Sequence, residues 1–185
     1  PGAGRDLIAA CADHFGGMDI LVANAGYADK APLGEAGGVE RFEQAHGAIA
    51  RSFFEMAEAA LPLLEASRRG RAIAVGAFGP HVWRTDLPSF PATAAAKAAL
   101  EATVRALALK LGPCGATANV VAPGFIEKDA GTHAAVTAEA AAELTGCIPM
   151  ARRGTPAEVA AVIVFLSSLE ASYVTGQVIH VNGGL

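Results

Sequence analysis

A chain of 185 residues with 52% hydrophobic residues and a mean hydropathy of +0.37 is long and apolar enough to form one globular domain. Its net charge is −4 and its 14 basic residues are scattered, so nucleic acid and anionic membranes are poor candidates as partners. No apolar run reaches the roughly 20 residues that a membrane-spanning helix needs, and no signal peptide is recognisable.

The cysteines give a second restriction on the class of protein. Cys11, Cys114 and Cys147 are odd in number and form no CxxC pair. This pattern argues against a disulfide framework and against a zinc site. We therefore expect unpaired thiols, no bound metal and a cytoplasmic protein.

The first part of the chain predicts a helix followed by a buried strand. Residues 7–12 are mostly apolar and lead to Gly16 and Gly17, where glycine suits the end of a helix. Residues 19–26 then form an apolar run without alternation, which is typical of a parallel strand buried on both faces.

The middle of the chain predicts two long helices around a second strand. Residues 39–64 carry apolar side chains at near-helical spacing and indicate one long helix, although Gly47 weakens it locally. Residues 71–77 form the next buried strand. The proline-rich residues 79–91 predict a loop, and residues 92–111 predict an alanine-rich helix.

The last third repeats the alternation of strand and helix. Residues 117–122 predict a strand, and residues 125–150 a lid-like excursion with one short helix. Thr155 begins a helix with a capping-box pattern, and residues 177–184 give the last strand and a turn. Strands separated by helices predict a parallel, doubly wound α/β sheet in a single domain, residues 1–185.

Several short motifs recur beside these predicted elements. They are Asn24-Ala25-Gly26, Lys97 in its alanine-rich helix, Pro123-Gly124, and the terminal run that contains Thr175-Gly176-Gln177 and Gly183-Gly184. Together and in this order they resemble the carboxyl two-thirds of the short-chain dehydrogenase/reductase family, over nearly the whole chain. The resemblance implies a Rossmann-like fold of that family's type.

The resemblance also implies that part of the fold lies outside this sequence. The strand that carries Asn24 is similar to the family's fourth, and the glycine-rich cofactor turn after the family's first strand has no counterpart here. Pro1-Gly2-Ala3-Gly4 is no substitute, since no buried strand precedes it. The strand at residues 20–22 would have an unpaired apolar edge, so we expect a longer polypeptide.

The family's chemistry depends on a serine, a tyrosine that acts as general acid/base, and a lysine whose charge lowers the pKa of that tyrosine. By resemblance, Ala77 stands at the serine position, Thr93 at the tyrosine position, and Ile49 near the family's helical asparagine. The catalytic candidates are therefore Lys97 and Thr93. The aliphatic hydroxyl of Thr93 is a much weaker acid than a phenol.

The resemblance further implies a nicotinamide cofactor, NAD or NADP, with Lys97 on its ribose. The choice between the two cofactors is not legible in this sequence. The residues expected to contact the cofactor are Asn24, Ala25, Gly26, Lys97, Pro123, Gly124, Phe125 and Ile126. Lys128 stands where many relatives carry a threonine near the carboxamide.

Other residues are candidates for the missing acid. The loop at residues 79–90 offers His81, Arg84, Asp86 and Ser89, and histidine titrates nearest neutral pH. Their alternative role is as ordinary polar groups of a loop. Tyr27, directly after Gly26, is placed to line the same cleft, either as an acid or as a wall of the substrate site. A metal cluster of Glu127, Asp129 and His133 matches no strong ligand pattern.

Three functions follow from these patterns. The first is an oxidoreductase that transfers a hydride between nicotinamide and a carbonyl or alcohol substrate. The second is a catalytically impaired relative that acts as a binding or assembly subunit. The third is an enzyme similar to the halohydrin dehalogenases, whose Ser-Tyr-Arg set this chain lacks. By resemblance, we expect a homodimer or homotetramer formed through the helices at residues 39–64 and 92–111.

Overall fold

The computed structural model describes residues 2–127 and 143–185. The helices are α1 (Ala3–Phe15), α2 (Gly38–Ala45), α3 (Ser52–Ala66), α4 (Pro91–Leu111) and α5 (Pro156–Ser167). The strands are β1 (Ile20–Ala23), β2 (Arg71–Val75), β3 (Thr117–Pro123) and β4 (Val178–Val181). Within these described ranges, no helix combines the length and the apolar character needed to cross a membrane.

The four strands form one parallel sheet in the order β1-β2-β3-β4. Helices α3 and α4 pack on one face of this sheet, and α5 packs on the other over β2 and β3. The expected parallel α/β sheet with helices on both faces is thereby confirmed. Because all strands run the same way, their carboxyl ends lie along a single edge, where α/β folds bind their ligands.

Two separate hydrophobic clusters correspond to the two faces. The larger contains Phe53, Leu64 and Val104 and lies between the sheet and helices α3 and α4. The smaller contains Val121 and Leu166 and lies under α5. Strands β2 and β3 are therefore buried on both faces, as their continuous apolar sequences predict.

Strand β1 departs from its prediction. It is buried on one face only, through Leu21 and Ala23, while Ile20 and Val22 are 44% and 43% exposed. The apolar run predicts a strand correctly, but burial on both faces is wrong because α5 lies over β2 and β3 instead. Ile20 and Val22 thus form an exposed apolar surface on β1, which is an edge strand of the sheet.

The predicted long helix at residues 39–64 also needs a correction. The backbone is helical from α2 through α3, but His46–Arg51 between them form a π-helical segment. Such segments are uncommon and frequently lie at functional sites. Ile49, in this segment, is buried against the sheet's carboxyl edge.

Local sequence signals determine two helix ends. Gly16 closes α1 with a positive φ of 74°, a conformation that glycine adopts without strain. Thr155 and Glu158 open α5 with a complete capping box: the Glu158 amide donates to the Thr155 hydroxyl at 3.3 Å, and the Thr155 amide donates to the Glu158 carboxylate at 2.8 Å. The capping box predicted from the sequence is confirmed.

Most of the predicted lid-like excursion, including Lys128, Asp129 and His133, lies outside the described residues. On its near side, Ile126 forms a parallel bridge with Gly154, and the Glu127 amide donates to the Gly154 carbonyl at 2.8 Å. The chain therefore returns to the end of β3 before α5 begins.

Candidate active site

A cavity of about 360 Å³ lies at the carboxyl edge of the sheet. Its walls come from the segments that follow β1, β2 and β3 and from the first turns of α4. The expected cofactor-contact residues that line it are Asn24, Gly26, Lys97, Pro123, Gly124, Phe125 and Ile126. Ala25 belongs to the same turn but is exposed and is not among the described wall residues.

Lys97 supplies the cavity's one cationic side chain among the described wall residues. The residue is 5% exposed, and its Nζ donates a hydrogen bond of 2.5 Å to the carbonyl of Val75 at the end of β2. Burial lowers the pKa of this amine from its ordinary 10.5 to about 8, because a buried site disfavours the charged form. At neutral pH, Lys97 therefore still carries its positive charge.

Gly26 makes room for this amine. A Cβ at position 26 would lie 3.2 Å from the Nζ of Lys97 and 3.8 Å from Ile49. A larger side chain there would fill the space beside the ammonium group. The glycine of the Asn24-Ala25-Gly26 motif thus keeps the face of Lys97 open to the cavity.

Thr93 also lines the cavity, but its hydroxyl is engaged with backbone. Its Oγ1 accepts a hydrogen bond of 2.9 Å from the amide of Asp29 and donates one of 3.5 Å to the carbonyl of Tyr27. The residue is buried, on the turn of α4 that precedes Lys97. Its observed contacts therefore position the chain segment after β1.

Ala77, which the resemblance assigns to the serine position, lines the cavity. It offers a methyl group, so no hydroxyl at this point can bind a carbonyl oxygen. Ile49 lies close to Gly26 and is equally apolar. The described walls therefore offer no polar side chain at either of these two positions.

His81 lies in a different cluster. Its Nε2 is 2.8 Å from the Oε1 of Glu101, and its ring packs edge-on against His180 with centroids 4.7 Å apart. The described cavity walls do not include His81. Arg84 pairs with Asp86 on the exposed part of the loop, and Ser89 is exposed as well. The loop's polar groups thus lie apart from the cavity.

Two of the cavity's three phenylalanines, Phe78 and Phe90, were not predicted from the sequence, whereas Phe125 was among the expected contact residues. Phe78 contacts Phe125 with ring centroids 4.8 Å apart, and Phe90 approaches Phe78 at 6.2 Å. All three line the cavity. Phe78 and Phe90 lie in a loop without periodicity, so only the proline-rich boundary of that loop hinted at their place.

A second, larger cavity of about 790 Å³ adjoins the first, and Ala94 lines both. Leu33, Trp83 and Phe42 give it apolar walls, and Asp29 and Arg41 lie at its side. Asp29 and Arg41 are 3.4 Å apart and form an ion pair. The smaller cavity at the carboxyl ends of the strands, which we call the strand-end cavity, therefore shares a wall residue with a larger apolar cavity.

The arrangement can bind and orient an uncharged, partly apolar ligand beside one buried cation. Among the described residues no group of three or more His, Cys, Asp or Glu side chains is placed to hold a metal ion. A parallel sheet with such a cavity at its carboxyl edge belongs to the Rossmann-like class of α/β domains.

Comparison with known proteins agrees with this class. All of residues 1–185 match the family described as Enoyl-(Acyl carrier protein) reductase. The 3-oxoacyl-(acyl-carrier-protein) reductase FabG of Vibrio cholerae is 36% identical over 97% of this chain and 71% of its own length. MabA of Mycobacterium bovis, a reductase of the same description, is 35% identical over 94% of this chain and 68% of its own length.

A solved structure has the same fold. A protein described as "Dehalogenation enzyme" superimposes with a TM-score of 0.87 at 31% identity and covers 98% of this chain and 74% of that one. The chain belongs to the short-chain dehydrogenase/reductase family of oxidoreductases.

Proposed function

We propose that this protein is a nicotinamide-dependent oxidoreductase that interconverts a carbonyl and an alcohol, with a 3-oxoacyl thioester as the carbonyl substrate. The observation that carries the proposal is that Lys97, Asn24, Gly26 and the segment after β3 all line one cavity. The substrate class is taken from FabG and MabA, whose names specify 3-oxoacyl groups.

The residues present fit the nicotinamide and ribose end of such a cofactor. The open space beside Gly26 leaves the ammonium group of Lys97 accessible to ribose hydroxyls, and the cavity volume falls within the range of small-molecule sites. Gly124, Phe125 and Ile126 would flank the nicotinamide ring. When bound, the cofactor supplies the hydride, while the protein supplies binding and orientation.

The adjoining apolar cavity supports a substrate with a hydrocarbon chain. The two cavities share Ala94 as a lining residue, and Leu33 and Trp83 line the larger one. A carbonyl held near Lys97 would place an attached acyl chain along these walls. NADH or NADPH remains an open choice in this proposal.

Cofactor binding is the first test. Titration of the full-length protein into NADH and NADPH is expected to change the nicotinamide fluorescence. Gly26→Val should weaken binding at least about tenfold, because its side chain would occupy the space beside Lys97. Gly17→Val is the matched control, since a Cβ at position 17 would contact nothing within 4 Å. Unchanged fluorescence with both nucleotides at millimolar concentration would refute the proposal.

A dehalogenase is the second candidate, favoured by the solved relative of that description. That reaction would need a hydroxyl acid at the Thr93 position and a halide site instead of a nicotinamide site. Halide release from a vicinal haloalcohol, measured without added nicotinamide, distinguishes it from the proposed oxidoreductase. If nicotinamide binds and neither reaction occurs, the non-catalytic assembly subunit is the better description.

We also propose that copies of the chain pair through α3 and α4 to form a homodimer or homotetramer. Phe54 on α3 and Leu109 on α4 are large apolar side chains exposed on the outer side of these helices. Ala102 and Ala106 precede Leu109 on α4 by seven and three residues, which puts them on the same side of the helix, and both are exposed and small, so two such faces can approach closely.

Sedimentation velocity tests the pairing. Leu109→Glu is expected to shift the protein to a smaller species at micromolar concentration, with at least about a tenfold weaker association. Leu169→Glu is the control, because Leu169 is exposed beyond α5 on the opposite face of the sheet. If only the control variant dissociates, the copies associate through the opposite face and this proposal is wrong.

A further inference from the structure

Position 93 presents a chemical problem for the proposed function. A carbonyl that gains a hydride also needs a proton on its oxygen, and neither Thr93 nor Ala77 is an adequate acid. Among the described residues that line the strand-end cavity, none is a His, Asp, Glu or Cys. The side-chain O–H groups among them belong to Thr93 and Tyr27. The ammonium group of Lys97 also carries acidic protons, but its Nζ donates to the Val75 carbonyl and its expected role is on the cofactor ribose.

Tyr27 is the residue among the described walls of this cavity that has a phenol. It directly follows Gly26, whose position lies beside the Nζ of Lys97, and it lines the same cavity as that lysine. The residue lines the cavity and is also 46% exposed to solvent. A phenol there has access both to a bound ligand and to water.

Thr93 holds the segment that carries this phenol. Its hydroxyl forms hydrogen bonds with the carbonyl of Tyr27 and the amide of Asp29, so α4 holds the backbone on both sides of residue 28. Asp29 is fixed further by the Arg41 guanidinium at 3.4 Å, and its Oδ1 accepts from the Ala31 amide at 3.0 Å. Thr93, which has no phenol, therefore positions the backbone of Tyr27, which has one.

We propose that Tyr27 is the general acid of the reaction, supplying from the segment after β1 the phenol that α4 lacks, with Thr93 as its positioning residue. This inference rests on the proposed oxidoreductase function. In the reduction, the carbonyl carbon gains a hydride from the reduced nicotinamide and the carbonyl oxygen takes the phenolic proton of Tyr27. The C–H bond at C4 of the reduced nicotinamide, the C=O π bond and the phenolic O–H bond break, and new C–H and O–H bonds form on the product. The nicotinamide is oxidised by two electrons as the carbonyl is reduced, and a proton from solvent water restores the phenol.

The kinetic test uses the full-length protein with NADPH or NADH and the N-acetylcysteamine thioester of acetoacetate. Tyr27→Phe is expected to lower kcat by about 100-fold, within the range for loss of a general acid, while KM and nucleotide affinity stay within about threefold. Tyr173→Phe is the matched control, because Tyr173 is 100% exposed. Wild-type kcat in Tyr27→Phe would overturn the inference.

Thr93 has its own pair of variants. Thr93→Val removes the hydroxyl at nearly constant volume and is expected to lower kcat about tenfold with little change in KM. Thr93→Ser keeps the hydroxyl and should restore kcat to within about threefold of wild type. Equal losses in both variants would indicate a packing role only and would contradict the positioning role.

A second readout does not depend on turnover. The sequence contains two tyrosines, so 3-fluorotyrosine labelling gives two ¹⁹F resonances, which Tyr173→Phe assigns. The acetoacetyl thioester is expected to shift the Tyr27 resonance and leave that of Tyr173 in place. No shift of Tyr27 at saturating thioester overturns the inference. Failure of the proposed function would instead appear as the absence of nucleotide binding in the wild-type protein.

Discussion

Lys97→Met is expected to raise the free energy of unfolding of the cofactor-free protein at pH 7 by about 2 kcal/mol and to weaken nicotinamide binding at least about tenfold. The wild-type fold keeps a charged amine in a site where its pKa is about 8 instead of 10.5. That difference costs roughly 3 kcal/mol, and loss of the hydrogen bond to Val75 returns roughly 1 kcal/mol of it. A more stable protein that no longer binds cofactor is the expected result.

The pH dependence of stability gives this prediction its sign. Between about pH 8 and 10.5 the unfolded chain keeps the proton on Lys97 and the folded protein loses it. Because the unfolded state then binds more protons, the Lys97 contribution to the free energy of unfolding rises with pH across this window. Below pH 8 the full penalty of the buried charge is present. In Lys97→Met this contribution is absent at every pH.

Urea denaturation from pH 7 to 10.5 measures both effects, with the wild-type protein compared directly with each variant. Lys110→Met is the matched control, because Lys110 lies on the same helix with its side chain 65% exposed. It should change the free energy of unfolding by less than about 0.5 kcal/mol. If Lys97→Met is destabilised at pH 7, the buried amine contributes packing or hydrogen bonding that exceeds its desolvation cost.

The strands were the most predictable part of the fold, but the burial of β1 was not predictable from its sequence pattern. Apolar runs at residues 71–77 and 117–122 predict β2 and β3 because burial on both faces removes alternation. The run at residues 19–26 looks the same, yet Ile20 and Val22 are exposed. Burial of a strand depends on which helices cover it, and a single strand's sequence does not specify that.

The long helix shows a second limit. Apolar spacing predicts helical backbone throughout residues 39–64, and the structure is helical there. The π-helical segment His46–Arg51 adds one residue to a turn, a change too small to disturb the hydrophobic pattern. Sequence periodicity therefore identifies the helix but not the local geometry that places Ile49 beside Gly26.

The candidate site was predictable where short motifs follow strands. Asn24, Gly26, Pro123 and Gly124 all line the cavity, because residues after parallel strands meet at one edge. The contacts of Thr93 were not predictable. Its hydroxyl bonds the amide of Asp29, 64 positions away in sequence, and no local pattern reports such a pairing.

The loop between β2 and α4 is held by a hydrogen bond to a buried carboxylate, and this contact carries the second large prediction. Glu101 on α4 is 3% exposed, and His81 binds its Oε1 at 2.8 Å. Arg105 reaches its Oε2 only at 3.9 Å. Removal of His81 would leave a buried carboxylate whose nearest cation, Arg105, lies at 3.9 Å, and loss of a hydrogen-bond partner is costly for a carboxylate that stays desolvated.

His81→Ala is therefore expected to lower the free energy of unfolding by about 2 kcal/mol and to loosen the loop that carries Phe78 and Phe90. Arg84→Ala is the control from the same loop, since the Arg84–Asp86 pair is exposed on both sides and should contribute less than about 1 kcal/mol. The double variant His81→Ala/Glu101→Leu should recover most of the lost free energy of unfolding, because it also removes the buried Glu101 carboxylate that His81→Ala leaves without its hydrogen-bond partner. Urea denaturation of these variants and Glu101→Leu completes a double-mutant cycle. Additive losses across that cycle would show that His81 and Glu101 stabilise the fold independently, and the loop would then be held by the packing of Phe78 instead.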